Sequence, residues 1–359
     1  MARSEPGPWI IGRRADLLWF WGGAALSLLA GAVAMAWPAL ALPLFCAWLL
    51  FGDGPHFWST WTRSYWDPME WASKGPALRR ALWIFAPGFL CWGFSRITGV
   101  QAPWTAFLFV AAIWGYHHAV RQDYGLWALY ARRAGLTPGE RWVDAGFLYA
   151  SLWWIFAWFS VAHPLNAAEI GAPLPAWLAP GMLAGWGALV IIYASIILYR
   201  IINRRPVLPA LFALVPCAGL YGVGFVWIGL AEPLIPGATN LEQSFAVLAI
   251  ANGLQHGLQY LGLVSFAARN RYPEGGASLG PRLSGQPVSA WLFYVLLSVP
   301  YVGINLTRAA APGVHPADGD LIGLSLCLYW GFVLHHYYVD QHIWRPHRDS
   351  QLRADLRLT

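Results

Sequence analysis

The stretch "LIGLSLCLYWGFVLHHYYVDQHIWR", Leu321–Arg345, decides how the whole chain is read. A bilayer-spanning helix needs roughly 20 predominantly apolar residues, and this run passes from Leu321 to Trp344 before it meets an arginine. Its first part is Leu, Ile, Gly, Ser and Cys, whereas its end carries His335, His336, Asp340 and His342. An ionisable side chain at the centre of a membrane helix costs about 2.5–3.5 kcal/mol on insertion scales. Such residues persist where they are paired, solvated in a cavity or coordinating something. The segment therefore reads as a membrane helix whose polar face turns towards protein.

The rest of the chain agrees. Of its 359 residues 58% are hydrophobic and only 11% charged, with a mean hydropathy of +0.46, whereas soluble domains carry about 25% charged residues. The 24 Trp and 15 Tyr exceed what aromatic belts at the bilayer interfaces need, so some of these rings are expected to line the interior. Ten segments have the length and apolarity of spans: 16–37, 38–61, 81–100, 102–130, 145–164, 182–203, 206–230, 245–268, 289–307 and 321–344. Connections are short and leave no room for a soluble domain, so residues 1–359 are expected to form one all-α, polytopic transmembrane helical bundle. The N-terminal apolar run has no small-residue cleavage site after it and reads as a retained span.

Basic residues set the orientation. Arg13 and Arg14 precede the first segment. Arg63, Lys74, Arg79 and Arg80 follow the second, and Arg132, Arg133 and Arg141 the fourth. Arg200, Arg204 and Arg205 close the sixth, Arg269, Arg271 and Arg282 follow the eighth, and Arg345, Arg348, Arg353 and Arg357 the tenth. The alternate loops around 165–180 and 231–244 contain no Lys or Arg, with Arg96 and Arg308 the exceptions to the pattern. By the positive-inside rule both termini are cytoplasmic, and the expected location is an inner (cytoplasmic) membrane of bacterial type. The net charge of +6 follows from this topology and predicts no nucleic-acid partner. Cys46, Cys91, Cys217 and Cys327 all lie in apolar stretches without a CxxC pair, which supports neither a disulfide framework nor a zinc ribbon.

The polar residues inside the spans are not scattered. Seven of the ten histidines, His56, His117, His118, His256, His335, His336 and His342, lie in or at the ends of the second, fourth, eighth and tenth segments. His163, His315 and His347 sit at loop edges or in the tail. At 1.5 Å per residue, six of the seven fall near a common depth, His342 at its helix end excepted. Residues four apart lie about 40° apart around a helix, which pairs His336 with Asp340 and His118 with Gln122. In "ANGLQHGLQYLG" the side chains Asn252, Gln255, His256 and Gln259 share a ~100° arc. The stretch "FGDGPHFWSTW" predicts a helix broken around Gly52, Gly54 and Pro55, with Asp53 and His56 at the break. "HHAVRQD" (His117–Asp123) and "HHYYVDQ" (His335–Gln341) align without gaps, the last two residues exchanged.

Imidazole and carboxylate together suit Fe, Zn and Cu. The candidate metal ligands are His118, His256, His336 and Asp340, then His56, His117, His335 and Asp123. Gln122, Gln255 and Gln259 would orient imidazoles through their second ring nitrogen. Arg121 would hold a substrate carboxylate or phosphate, or else pair with Asp123 or Asp53. For any single histidine a hydrogen-bonded core role is the simpler reading, and a metal site rests on the set. A histidine-rich, carboxylate-poor site buried in a bilayer suits one or two non-haem iron ions acting on a lipophilic substrate. Trp114, Tyr116, Tyr124, Trp127, Tyr260, Tyr337, Tyr338 and Trp344 are the rings expected to pack against such a molecule.

The motifs "HHAVRQD", "QHGLQ" and "HHYYVDQH" resemble the bacterial Brp/Blh family of carotenoid-cleaving membrane dioxygenases and, more loosely, the membrane fatty-acid hydroxylases and desaturases. The likeness covers under a tenth of the chain, and the HxxHH and HxxxH boxes of the desaturases are absent. It implies a metal-dependent membrane oxygenase. Three alternatives stay open: a zinc-dependent intramembrane lipid hydrolase, a haem-binding electron-transfer protein, and a transporter with a His/Asp relay. No flavin or ferredoxin motif is present, so electrons, where needed, would come from an external donor.

Overall fold

The computed structural model describes residues 7–162, 174–230, 241–275, 278–284, 287–309 and 320–358. Among them the chain is helical, with no strand. His163 and His315 lie outside the described residues, as does most of the two loops that lack Lys and Arg.

In chain order the principal helices are α1 (Arg13–Ala36) and α2 (Pro38–Arg63), then α3 (Pro68–Ala81), α4 (Ala86–Thr98), α5 (Ala102–Arg133) and α6 (Pro138–Ala162). There follow α7 (Leu178–Ile202), α8 (Leu208–Trp227), α9 (Leu241–Arg271), α10 (Leu279–Ser284), α11 (Pro287–Ala309), α12 (Asp320–Ile343) and α13 (Ser350–Asp355). Five of them, α1, α2, α6, α7 and α8, are long and apolar enough to cross a membrane by length and composition. The other expected spans fall on helices too. However, α5, α9 and α12 carry the histidines, glutamines and aspartates, and these lower their mean hydropathy.

Helix ends follow from local chemistry. Asp67 caps α3 by accepting from the backbone N–H of Met69 (2.9 Å) and Glu70 (3.2 Å), with Pro68 in the first turn, where its missing N–H costs nothing. Gly99, at φ 76°, closes α4 in the left-handed conformation that glycine adopts without strain. Asp349 caps the short α13 through Leu352 N.

The expected break at Gly52–Pro55 takes a different form. The backbone of α2 stays helical throughout and widens into a π-turn over Leu49–Asp53, with Pro55 in the first turn of the α-helical stretch that follows. The missing proline donor is absorbed by the wider turn. Two further π-turns, Leu17–Trp21 and Ala213–Gly219, occur in α1 and α8, the latter around Pro216.

The helices group into two compact units: residues 1–45 with 120–256, and 46–119 with 257–359. In the first unit α6 packs against α7 and α8, and α8 against α1. Two of its buried carboxylates are satisfied internally. Arg200 makes a two-pronged bond to Asp144 (2.9 and 2.8 Å) that Tyr193 completes, and Asp16 accepts from the N–H groups of Ile10 and Ile11 and from Tyr130.

In the second unit α11 packs against the end of α2 and against α12, and α12 against α3 and α4. A Cβ added at Gly54 would collide with Ser298 of α11, and one at Gly257 would lie 3.1 Å from the Gly52 carbonyl oxygen. Close backbone approach over small residues is how membrane helices pack without a hydrophobic driving force. Beyond the spans, Arg63, Asp67, Glu70, Lys74, Arg271, Asp349 and Asp355 form a continuous ion-pair network.

Candidate metal centre

Four imidazoles come together. His56 of α2, His118 of α5, His256 of α9 and His336 of α12 each offer one ring nitrogen, and these nitrogens all lie within 4.8 Å of one another. His56 and His336 are buried, at 1% exposure each, and their Nε2 atoms are 2.5 Å apart. The His118 ring stands 4.9 Å from that of His336 and stacks on Tyr337 at 4.0 Å. Phe57 packs edge-on to both His56 and His336.

Asp340 stands beside the group. Its Oδ2 is 3.5 Å from His336 Nε2 and 3.9 Å from His118 Nε2, while its Oδ1 accepts from the Tyr260 hydroxyl at 2.7 Å. Thr60 Oγ1 lies 2.7 Å from the Tyr260 hydroxyl and 2.7 Å from His336 Nδ1. Trp344 Nε1 donates to the Tyr260 oxygen at 3.2 Å. A second tier of oxygen-bearing side chains thus sits against the imidazoles.

Spacing explains that tier. His56 and Thr60, His256 and Tyr260, and His336 and Asp340 are each four residues apart, as are His118 and Gln122. One helical turn of about 5.4 Å therefore separates the two tiers. Gln122 donates to the His256 carbonyl at 2.8 Å and so fixes the α9 backbone.

Besides Asp340, three candidates from the sequence lie outside the four-imidazole group. His335 turns roughly 100° from His336 and stacks on Trp61 and Tyr65. The Tyr65 hydroxyl gives its proton to the Leu78 carbonyl (2.7 Å), so it accepts from His335 Nε2 at 2.8 Å. That bond ties His335 to the aromatic cluster, and burial holds the Tyr65 phenol above its usual range. His117, the other member of its pair, is exposed where His118 is buried. Asp123, one turn beyond the imidazole tier on α5, hydrogen-bonds the Cys217 thiol.

Gln255 is 1% exposed, and neither atom of its side-chain amide has a hydrogen-bond partner among the described residues. Gln259 is likewise buried. Arg121 pairs with neither Asp123 nor Asp53: it donates to the Tyr149 hydroxyl at 2.7 Å and lies over the Tyr124 ring. Asp53 accepts instead from Tyr301 at 2.5 Å.

The sequence reading named Tyr260 for its ring alone and missed Thr60 altogether. Both could have been found by asking what stands four residues after each histidine.

No known protein family, curated protein or solved structure matches this chain.

Proposed function

We propose that this protein is a membrane-embedded, metal-dependent oxidoreductase that uses non-haem iron and dioxygen on a lipophilic substrate. The observation that carries the proposal is the convergence of four imidazole nitrogens within 4.8 Å, in an apolar helical protein with one carboxylate beside them. Nitrogens bound to one ion at about 2.0–2.1 Å are at most about 4.2 Å apart, so small ring movements bring the four onto a single ion.

Donor chemistry favours iron. Four imidazoles would complete the tetrahedral shell of zinc and leave no position for a substrate or water, which weakens the hydrolase reading. Iron accepts further ligands, so positions stay open for dioxygen. Haem between His56 and His336 is disfavoured by their 2.5 Å separation, because axial imidazoles on opposite sides of one iron stand about 4 Å apart, twice a metal–nitrogen bond. Bound iron would supply the activation of dioxygen. The side chains would hold the ion, keep the site dry through Phe57 and Tyr337, and admit a hydrocarbon or polyene from the bilayer. A ten-span topology with cytoplasmic termini, in an inner membrane, belongs to the same proposal. So does an external electron donor for any step that needs reducing equivalents.

Elemental analysis and a visible spectrum of the detergent-purified protein test the reading. About one iron per chain and no Soret band are expected. Metal-free protein as isolated that also fails to take up Fe(II) would overturn it, and stoichiometric zinc would redirect it to hydrolysis.

A further inference from the structure

The bond pattern behind His336 has a direction that simple proton counting reveals. Tyr260 owns one hydroxyl proton and has three neighbours: Trp344 Nε1 at 3.2 Å, Thr60 Oγ1 at 2.7 Å and Asp340 Oδ1 at 2.7 Å. The indole N–H can only donate, and Asp340 Oδ1 accepts from the Tyr260 hydroxyl. The Tyr260 proton therefore goes to Asp340, and its oxygen accepts from both Trp344 and Thr60. Thr60 has then spent its single proton on Tyr260, so at 2.7 Å from His336 Nδ1 its oxygen must accept. The direct Thr60–Asp340 contact, at 3.5 Å, is too long to compete.

We infer that Thr60 and Tyr260 are positioning residues that lock His336 in the Nδ1–H form, through the directed chain His336 Nδ1–H to Thr60 to Tyr260 to Asp340, so that the lone pair of Nε2 points to the metal. The inference rests on the metal centre proposed above and goes beyond it by assigning a role to two side chains that touch no metal. In the opposite arrangement Nε2 carries the proton and cannot ligate. All four participants are buried, so no solvent competes for these protons. The same carboxyl group closes the chain with Oδ1 and faces His336 and His118 with Oδ2, which joins the end of the chain to the imidazole group at its start.

Partners of this kind change metal affinity by about 10–100-fold when removed. The test uses full-length, detergent-purified wild type, Thr60→Val, Thr60→Ser, Tyr260→Phe and the Thr60→Val/Tyr260→Phe pair. The first readout is Fe(II) and Co(II) affinity, and the second is the 15N spectrum of histidine-labelled, metal-free protein. Thr60→Val and Tyr260→Phe should each bind about 10–100-fold more weakly, the pair no more weakly than the worse single variant, and Thr60→Ser close to wild type. His336 should carry its proton on Nδ1 in wild type and Thr60→Ser and become a mixture of tautomers in Thr60→Val. Wild-type affinity in Thr60→Val, or an unchanged tautomer there, overturns the inference. Should Thr60→Val not fold, Thr60→Ser against Tyr260→Phe makes the same comparison. A wild type that takes up no metal overturns the metal centre, while the tautomer comparison still judges the chain of bonds.

Discussion

Two adjacent histidines, His335 and His336, show what a single position decides. One turns to the imidazole group, and the other is tied to Tyr65 within an aromatic cluster. Their substitutions should therefore separate. His336→Ala and His256→Ala should each lower bound metal at least tenfold without abolishing membrane insertion, read by elemental analysis of the membrane fraction. His335→Ala should leave stoichiometry unchanged and lower thermal stability by about 1–3 kcal/mol, because it empties a packed site and removes the donor to Tyr65. Equal metal loss in His335→Ala and His336→Ala would show that the helix phase assigned to α12 is wrong.

At the scale of the element, α2 positions His56 and Thr60 through its π-turn and its glycines. The extra residue in the turn over Leu49–Asp53 rotates everything beyond it by about one residue, which is how π-turns re-aim side chains at sites. Gly257 lets α9 approach the Gly52 backbone, one residue after His256 and three before Tyr260. Gly257→Leu should push α9 away from α2, part Tyr260 from Thr60 and reduce metal affinity relative to the wild type. The comparison is made by metal titration at matched expression. Gly54→Ala, which collides with Ser298, should cost about 1–3 kcal/mol of stability.

At the scale of the whole molecule, the ion-pair network beyond the spans ties the chain end to the helices. Arg271 donates to Asp355 Oδ2 (2.7 Å) and Glu70 Oε1 (2.8 Å), and Lys74 bridges Glu70 to Asp349. Burial alone would raise the Glu70 carboxyl, but Arg63, Lys74 and Arg271 hold it below its ordinary value of 4.5. Asp349 is held below its usual range by Lys74 and its capping bond in the same way, against the pull of burial. A carboxylate depressed on folding contributes stability that is fully present above its unfolded value and is lost as pH falls through the lower folded value. Thermal stability should therefore be flat near neutrality and fall below about pH 4.5, with a shallower fall in Glu70→Gln, followed by tryptophan fluorescence on heating. Arg271→Ala leaves three buried carboxylates with fewer cations and should cost about 3–5 kcal/mol at neutral pH.

The amino-acid sequence by itself determined that this chain is helical, apolar and rich in histidine within its apolar helices, because composition and 3.6-residue periodicity are local properties. It also placed His56, His118, His256 and His336 on four separate helices, and the four-residue spacing to Thr60, Gln122, Tyr260 and Asp340 was present in it to be read. Only the tertiary structure decided which member of each histidine pair turns to the common point, since one residue of helix phase moves a side chain by about 100°. The same holds for the assignment of Asp123 to Cys217 and of Arg121 to Tyr149, and for the π-turn that replaces the expected break at Pro55. Which imidazoles meet, and which hydroxyls stand behind them, depends on how helices distant in the chain pack together, and no window of sequence contains that information.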